Sequence, residues 1–371
     1  MNISLKKILA QFVFFILCLS TIFLDTPKGL CADENENRSV QLEDKISSIK
    51  QSAIAETKTT SELIELLKQR AFLKIKKRKK ERLLRLEIFA SASSGYETNV
   101  NNDSSNKGDI FNTQFAMISW KPTFTRWFGL NTNVLSFNQL YSDFTDSNYL
   151  FSSVSTAARL YPFYQGRIRL EPGIGYETLW YPLSSDSSYN NLKYFLNTKT
   201  FFSSEWNSDL NFEYSVKEYD AKKARNPSGV KQEFVRQDER YALEAGLSRN
   251  IGRYIITLEG KASRNSSNDL LQDLNDYYAF ESSLTIAGLF LEDNRLYIAF
   301  TPNFERKNYK ERQAIFMAEY DDRYNYRLSM YYTLTKNYTL SYRFDYWSLD
   351  SNNPLSEYKN IINQIGISAR F

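Results

Sequence analysis

The stretch NYTLSYRFDYW, residues 337–347, decides the fold of this chain. Tyr338, Leu340, Tyr342, Phe344 and Tyr346 fall on one side of an extended strand, and Thr339, Ser341, Arg343 and Asp345 on the other, because strand side chains alternate with period 2. One face wants hydrocarbon and the other wants water. The same texture recurs outward in both directions. In YNYRLSMYYTL (324–334), Tyr324, Tyr326, Leu328, Met330, Tyr332 and Leu334 oppose Asn325, Arg327, Ser329 and Thr333. In GRYIITLEGKA (252–262), Tyr254, Ile256 and Leu258 oppose Arg253, Thr257, Glu259 and Lys261. The alternation reaches the last residue: in NQIGISARF (363–371), Ile365, Ile367, Ala369 and Phe371 share a face opposite Gln364, Ser368 and Arg370.

A soluble β-sandwich also alternates, but its connections follow no length rule. Here short connections (PTFTRW, YPFYQG, WNSD, NIGR, LEDNR, TKN) alternate with mostly longer ones from residue 85 onward. Short turns on one rim and long loops on the other are the plan of an outer-membrane barrel. The pattern predicts an all-β fold: an antiparallel transmembrane β-barrel of about 14 strands, preceded by a short periplasmic helical segment. The strand cores are expected near 85–98, 111–121, 127–141, 148–160, 166–181, 191–204, 209–219, 237–249, 253–265, 276–290, 294–306, 322–334, 337–348 and 359–371. An even count puts both barrel termini on the short-turn, periplasmic rim. A bulge or a shifted strand boundary is expected around 111–141, where Phe115 and Met117 lie on the opposite parity from Trp120. Trp120, Trp127 and Trp206 beside short turns, with Trp180 and Trp347 at the far strand ends, fit two interfacial aromatic girdles. The two longest connections, 221–237 and 307–322, read as loops, and residues 219–237 are long enough to fold inward as a plug.

The N-terminus divides into two further regions. Lys6 and Lys7 precede the apolar run ILAQFVFFILCLSTIFL, and GLCA ends at Ala32, the layout of a secretory signal peptide over residues 1–32. An uncleaved anchor is the alternative. Residues 33–84 read as helical: Leu42, Ile46, Ile49 and Ala53 form one stripe, and Thr59 with Glu62 fits a capping box. Within this extension Lys74, Lys76, Lys77, Arg78, Lys79 and Lys80 form a basic run, suited to lipid headgroups or an acidic protein partner, or else a solvated helix face. The barrel domain is 85–371.

Composition excludes several classes. The 371-residue chain has no histidine, and its two cysteines, Cys18 and Cys31, lie in or beside the expected signal. The commonest general base and ordinary zinc ligands are therefore missing, so neither an enzyme nor a metal or other cofactor is expected. A net charge of +4 lacks the basic footprint of nucleic-acid binding.

NQIGISARF resembles the C-terminal signal of Gram-negative outer-membrane β-barrel proteins. The resemblance implies residence in the cell outer membrane with the N-terminal segment in the periplasm, contact with outer-membrane lipid, and reading by the barrel-assembly machinery through Gly366, Ile367, Ala369 and Phe371. SGYETNVNND (94–103) is similar to the segment at the first barrel strand of proteins related to the surface lipoprotein assembly modifiers, which place a fourteen-stranded barrel behind periplasmic tetratricopeptide repeats. Here about fifty residues precede the barrel, against about 34 for a single repeat.

The expected function is a porin-like channel for small hydrophilic solutes. Its lumen-lining residues are expected to include Arg167, Arg169, Glu171, Lys193, Glu259, Lys261, Arg295, Arg327, Arg343, Asp345 and Arg370, with a mild anion preference from a basic excess. The alternative is an accessory or export barrel working with a periplasmic or surface protein.

Overall fold

The computed structural model describes residues 85–371 apart from 103–106, 163–166, 272–275, 292, 315–316 and 354–355. The expected signal peptide, helical extension and basic run lie outside the described residues. Fourteen strands follow in order: β1 (Leu86–Glu97), β2 (Asp109–Trp120), β3 (Phe128–Tyr141), β4 (Tyr149–Leu160), β5 (Ile168–Trp180), β6 (Tyr189–Phe201), β7 (Trp206–Arg225), β8 (Lys231–Ile251), β9 (Tyr254–Ser267), β10 (Tyr277–Phe290), β11 (Leu296–Ala314), β12 (Met317–Thr333), β13 (Tyr338–Ser351) and β14 (Tyr358–Arg370). Each pairs with its neighbours in sequence, and β1 pairs antiparallel with β14, so the sheet closes into a barrel. Closure leaves no strand edge with unpaired backbone groups, which lipid cannot satisfy.

The alternation in sequence sets the register. In β13 the Tyr338, Leu340 and Tyr342 side chains are exposed on the outer face, while Asp345 is wholly buried on the inner one. A slip of one residue would aim Arg343 at lipid, and a midplane cation there costs about 2–4 kcal/mol.

The seam between β1 and β14 explains the last nine residues. Ile88 N donates to Phe371 O at 3.0 Å and Phe371 N to Ile88 O at 2.9 Å, tying down the terminal residue. Gly366 lets the strands approach: a Cβ there would lie 2.6 Å from Ser93 Cβ and 2.9 Å from the Ala92 carbonyl oxygen. From the inside, Gln364 Nε2 donates to Ser93 Oγ at 2.7 Å and to Thr113 Oγ1 at 3.0 Å. At the long-loop end, Asn360 Nδ2 donates to Glu97 Oε1 at 2.6 Å and Asn102 Oδ1 at 3.0 Å, and its Oδ1 accepts from Asn99 N at 3.1 Å. Glu97, Asn99 and Asn102 all come from SGYETNVNND, so this motif locks the first strand to the last.

The bulge expected around 111–141 is not there. β2 pairs with β3 without a break from Phe111↔Tyr141 to Trp120↔Thr132. Instead the polarity of this sector is inverted. Following the register from β13 through β14 and β1 places Phe89, Phe115, Met117, Leu135 and Phe137 on the inner face. Ala92, Ser94, Asn112, Gln114 and Asn138 face outward at mid-height. Parity gave a warning in the sequence because the apolar and polar faces exchange places, not because a residue is inserted.

Two of the expected loops are walls. β7 and β8 run for 20 and 21 residues and β11 for 19, against the ~9–11 that a tilted strand needs to span a bilayer. Segments 221–237 and 307–322 read as loops because they are charged, yet they extend these hairpins beyond the membrane. The β7–β8 hairpin turns at Asn226–Val230, where Asn226 Oδ1 accepts from Ser228 N at 3.0 Å and Val230 N at 2.9 Å. The residues considered for a plug therefore form barrel wall. At the other rim three turns share one device: Thr125, Ser203 and Thr335 each accept with a side-chain oxygen from the backbone N–H groups two and three residues on, at 3.0–3.3 Å. This is the hydroxyl-capped turn that Ser and Thr favour. It places the third turn at 202–205, so that Trp206 opens β7 instead of sitting in the expected WNSD connection.

Candidate functional site

The inner wall of the barrel is the candidate site. Register partners share a face, so the inward position of Asp345 assigns the whole wall. In β12 it selects Arg323, Asn325, Arg327 and Ser329, and in β11 Glu305 and Lys307. In β10 and β9 it selects Glu281, Glu259 and Lys261, and in β8 and β7 Glu244, Asp238, Asp209 and Glu213. In β6 and β5 it selects Lys193, Lys199, Arg169, Glu171 and Glu177.

Most of these charges pair with one another. Asp345 accepts from Arg327 Nε at 2.6 Å and also from Arg343 Nε. Arg323 Nη1 donates to Glu305 Oε2 at 3.1 Å, and Lys307 lies 3.4 Å from the same carboxylate. Lys193 bridges Glu177 at 2.7 Å and Glu213 at 3.8 Å. Lys261 lies 3.7 Å from Glu281, and Arg169 lies 3.3 Å from Glu171. Each of these paired side chains is thus held by an opposite charge, which fixes its direction more than it stabilises the fold.

Of the expected lumen residues, Arg169, Glu171, Lys193, Glu259, Lys261, Arg327, Arg343 and Asp345 take inward positions on the wall. Arg370 also points inward, at the rim, where it lies 3.5 Å from Glu87 beside the 3.1 Å Lys121–Glu87 pair. Arg167 and Arg295 lie in the connections before β5 and β11; the Arg295 side chain is half exposed and bridges Asp293 at 3.1 Å. Arg253 lies in the turn before β9. With these three arginines off the wall and Glu87, Asp209, Asp238 and Asp321 on it, the basic excess behind the anion preference disappears. Of the positions expected to form an assembly signal, Ile367, Ala369 and Phe371 face outward at the seam and Gly366 inward; Phe371 meets Tyr338 edge-on at 6.4 Å.

Several inward residues escaped the sequence reading. Lys217, Arg236, Lys307 and Asp321 sit in or near the segments read as loops. Their alternation with outward Tyr, Val and Glu was the available signal. Trp347, expected in a girdle, faces the lumen opposite Asn325 and Asn360, with the Arg323 guanidinium 5.9 Å from its ring. Arg159, at an inward position of β4, is buried. Its Nη2 donates to Lys121 O at 3.1 Å, Pro122 O at 3.0 Å and Thr123 Oγ1 at 3.0 Å, bracing the β2–β3 turn.

Two recesses open along the inner wall of β4–β8. One of about 280 Å³ lies among Arg169, Glu171, Lys199, Asp209 and Glu244. The other, of about 230 Å³, lies among Ser153, Gly175, Glu177, Lys193 and Glu213, and both include Asn197 and Asn211. Among the described residues no cluster of His, Cys, Asp or Glu is arranged to hold a metal ion.

No protein-family model matches the sequence, and no curated protein matches it. Among solved structures, a bacterial polysaccharide outer membrane secretin aligns over 78% of this chain and 99% of its own at 9% identity, with a TM-score of 0.40. OmpT, an outer membrane protein of Vibrio cholerae, covers 77% of this chain and 98% of its own at 9% identity and a TM-score of 0.40. An outer membrane channel from Pseudomonas putida F1 covers 77% and 95% at 11% identity and a TM-score of 0.41. Similarity at this level carries no argument, and the fold class, strand count and faces rest on this chain's own pairing. The chain is a closed fourteen-stranded antiparallel β-barrel.

Proposed function

We propose that this barrel resides in the outer membrane and forms a channel for small hydrophilic solutes. The observation that carries the reading is the polar inner wall of β5–β13, where charges are held in pairs and the two recesses share Asn197 and Asn211. Paired charges leave little net field, so ion selectivity is weak in either direction. A barrel of fourteen strands is intermediate between eight-stranded barrels filled by side chains and porins of sixteen to eighteen strands with aqueous channels.

The test is single-channel recording of the refolded protein in a planar bilayer under a salt gradient. A steady conductance with a small reversal potential supports the channel. A silent barrel, shown to be inserted, overturns it and favours a partner-dependent role, which crosslinking from Lys77 would then probe.

A further inference from the structure

We infer that the lumen carries a binding track for a neutral oligosaccharide on the inner wall of β2–β7; this rests on the channel reading and adds a substrate class to it. Phe115, Phe137, Phe151, Leu179, Tyr189 and Tyr219 are successive register partners, one from each of six adjacent strands, all on the inner face. Because barrel strands tilt by about 35–45°, such a row climbs the lumen as it passes round it. Ring contacts branch from the row toward the long-loop rim: Phe137 to Tyr149 at 5.7 Å, then Tyr149 to Tyr181 at 5.6 Å.

These rings do not form an ordinary core. No second sheet faces them, and each side chain of the row is only partly buried. An apolar row on a lumen wall is unfavourable in water unless it contacts a solute, just as exposed apolar patches elsewhere mark binding surfaces.

The groups beside the row define the chemistry of that solute. Lys193 is held by Glu177 and Glu213, and Arg236 donates to Asp238 at 2.9 and 2.6 Å. Lys217 and Arg236 already cover the faces of Tyr189 and Tyr219, at 4.2 and 4.6 Å, and mark one end of the track. The edge of the track therefore offers donors and acceptors side by side, with Lys193 and Arg236 neutralised by carboxylates and Lys217 committed to the Tyr189 and Tyr219 rings. A free carboxylate would need an uncommitted cation, and a hydrocarbon would leave these polar groups unmatched. A sugar ring fits both surfaces: its C–H face lies on an aromatic ring and its hydroxyl rim both donates and accepts. The stacking faces belong to Phe115, Phe137 and Phe151, which no cation covers among the described residues.

The test uses the refolded full-length protein in a planar bilayer. Linear hexasaccharides of glucose, mannose and N-acetylglucosamine are added in turn, with 3-phenylpropionate as the acidic amphiphile. At least one hexasaccharide is expected to interrupt the open-channel current, and 3-phenylpropionate to leave it unchanged. The double substitution Phe137→Ala/Phe151→Ala is expected to keep the open conductance, which reports an intact barrel, while raising the half-blocking concentration roughly tenfold. A single Phe137→Trp substitution keeps the block. A conducting channel that none of the hexasaccharides interrupts, one blocked better by 3-phenylpropionate, or a double variant blocked as well as the parent overturns the track and leaves the channel standing. A silent, inserted barrel overturns both.

Discussion

Replacing Asp345 by Asn removes the one anion between two guanidinium groups. Asp345 is wholly buried, with Arg327 Nε at 2.6 Å from one carboxylate oxygen and Arg343 bonded to the other. Breaking a buried ion pair by removing one partner costs about 3–5 kcal/mol. The two arginine side chains are 40% and 39% exposed, so lumen water relieves part of that penalty. A loss of about 2 kcal/mol follows, discounted for that screening. With a urea dependence of about 3 kcal/mol per molar, the unfolding midpoint falls by about 0.7 M. The same change takes the cluster from one net positive charge to two, so the reversal potential under a salt gradient shifts toward anions. The assay pairs urea unfolding in detergent with bilayer recording. Adding Arg343→Gln to the variant brings the cluster back to one net charge and reverses the selectivity shift. An unchanged midpoint together with an unchanged reversal potential would refute the triad.

Other substitutions test other parts of the barrel. Arg159→Met leaves the Lys121 and Pro122 carbonyls without their donor, and a loss of about 2–3 kcal/mol is expected in the same urea assay; a change of a few tenths would show that the arginine braces nothing. Phe371→Ala removes a ring that lies on the outer surface, 63% exposed, so refolding yield in detergent should hold while the amount assembled in cells falls. Equal losses in both would make the ring structural and leave no signal role for it. Asp269, in the connection after β9, is buried, which alone would raise its pKa; hydrogen bonds and charge from Arg225, with the Arg225 and Leu271 backbone N–H groups, outweigh burial and hold it below the ordinary 3.8. The bridge therefore stabilises this connection fully above that value, and the contribution is lost as pH falls below it through the depressed folded pKa. Pepsin cleavage near Leu270 should rise steeply below pH ~3.8 in the parent, whereas Asp269→Asn is cut to the same extent above and below it; parallel profiles would show that the bridge does not hold the connection.

The architecture was legible wherever an outward apolar row meets lipid and an inward polar row meets water. In β9, β12 and β13 that contrast is nearly complete, and strand number, closure and the terminal strand follow from it. It failed in two places for different reasons. In β2 and β3 the inward face carries Phe115, Met117 and Phe137, so a rule that sends apolar residues outward misreads intact strands as irregular. In 221–237 and 307–322 the strands have left the bilayer, so charge no longer marks a loop and the alternation of Arg306 and Lys307 against Asp322 and Asp321 carries the pairing instead. Individual inward charges were readable from parity. Their partners were not, because Lys193 with Glu213 and Arg323 with Glu305 meet only once the register across two strands is fixed.

The most direct test of the account is a cysteine scan of both face assignments. With Cys18 and Cys31 replaced, single cysteines are placed along β13 from Thr339 to Phe344 and along β2 from Asn112 to Met117, in protein reconstituted into liposomes. Each is probed with a membrane-impermeant thiol reagent and, after fluorophore labelling in detergent, by quenching from brominated lipid. Thr339, Ser341 and Arg343 should react from water, and the Leu340, Tyr342 and Phe344 positions should be quenched by lipid. On β2, Thr113, Phe115 and Met117 should lie on the water side and Asn112, Gln114 and Ala116 on the lipid side. The opposite parity on β2 would contradict the inward aromatic row, and loss of alternation on β13 would contradict the barrel itself.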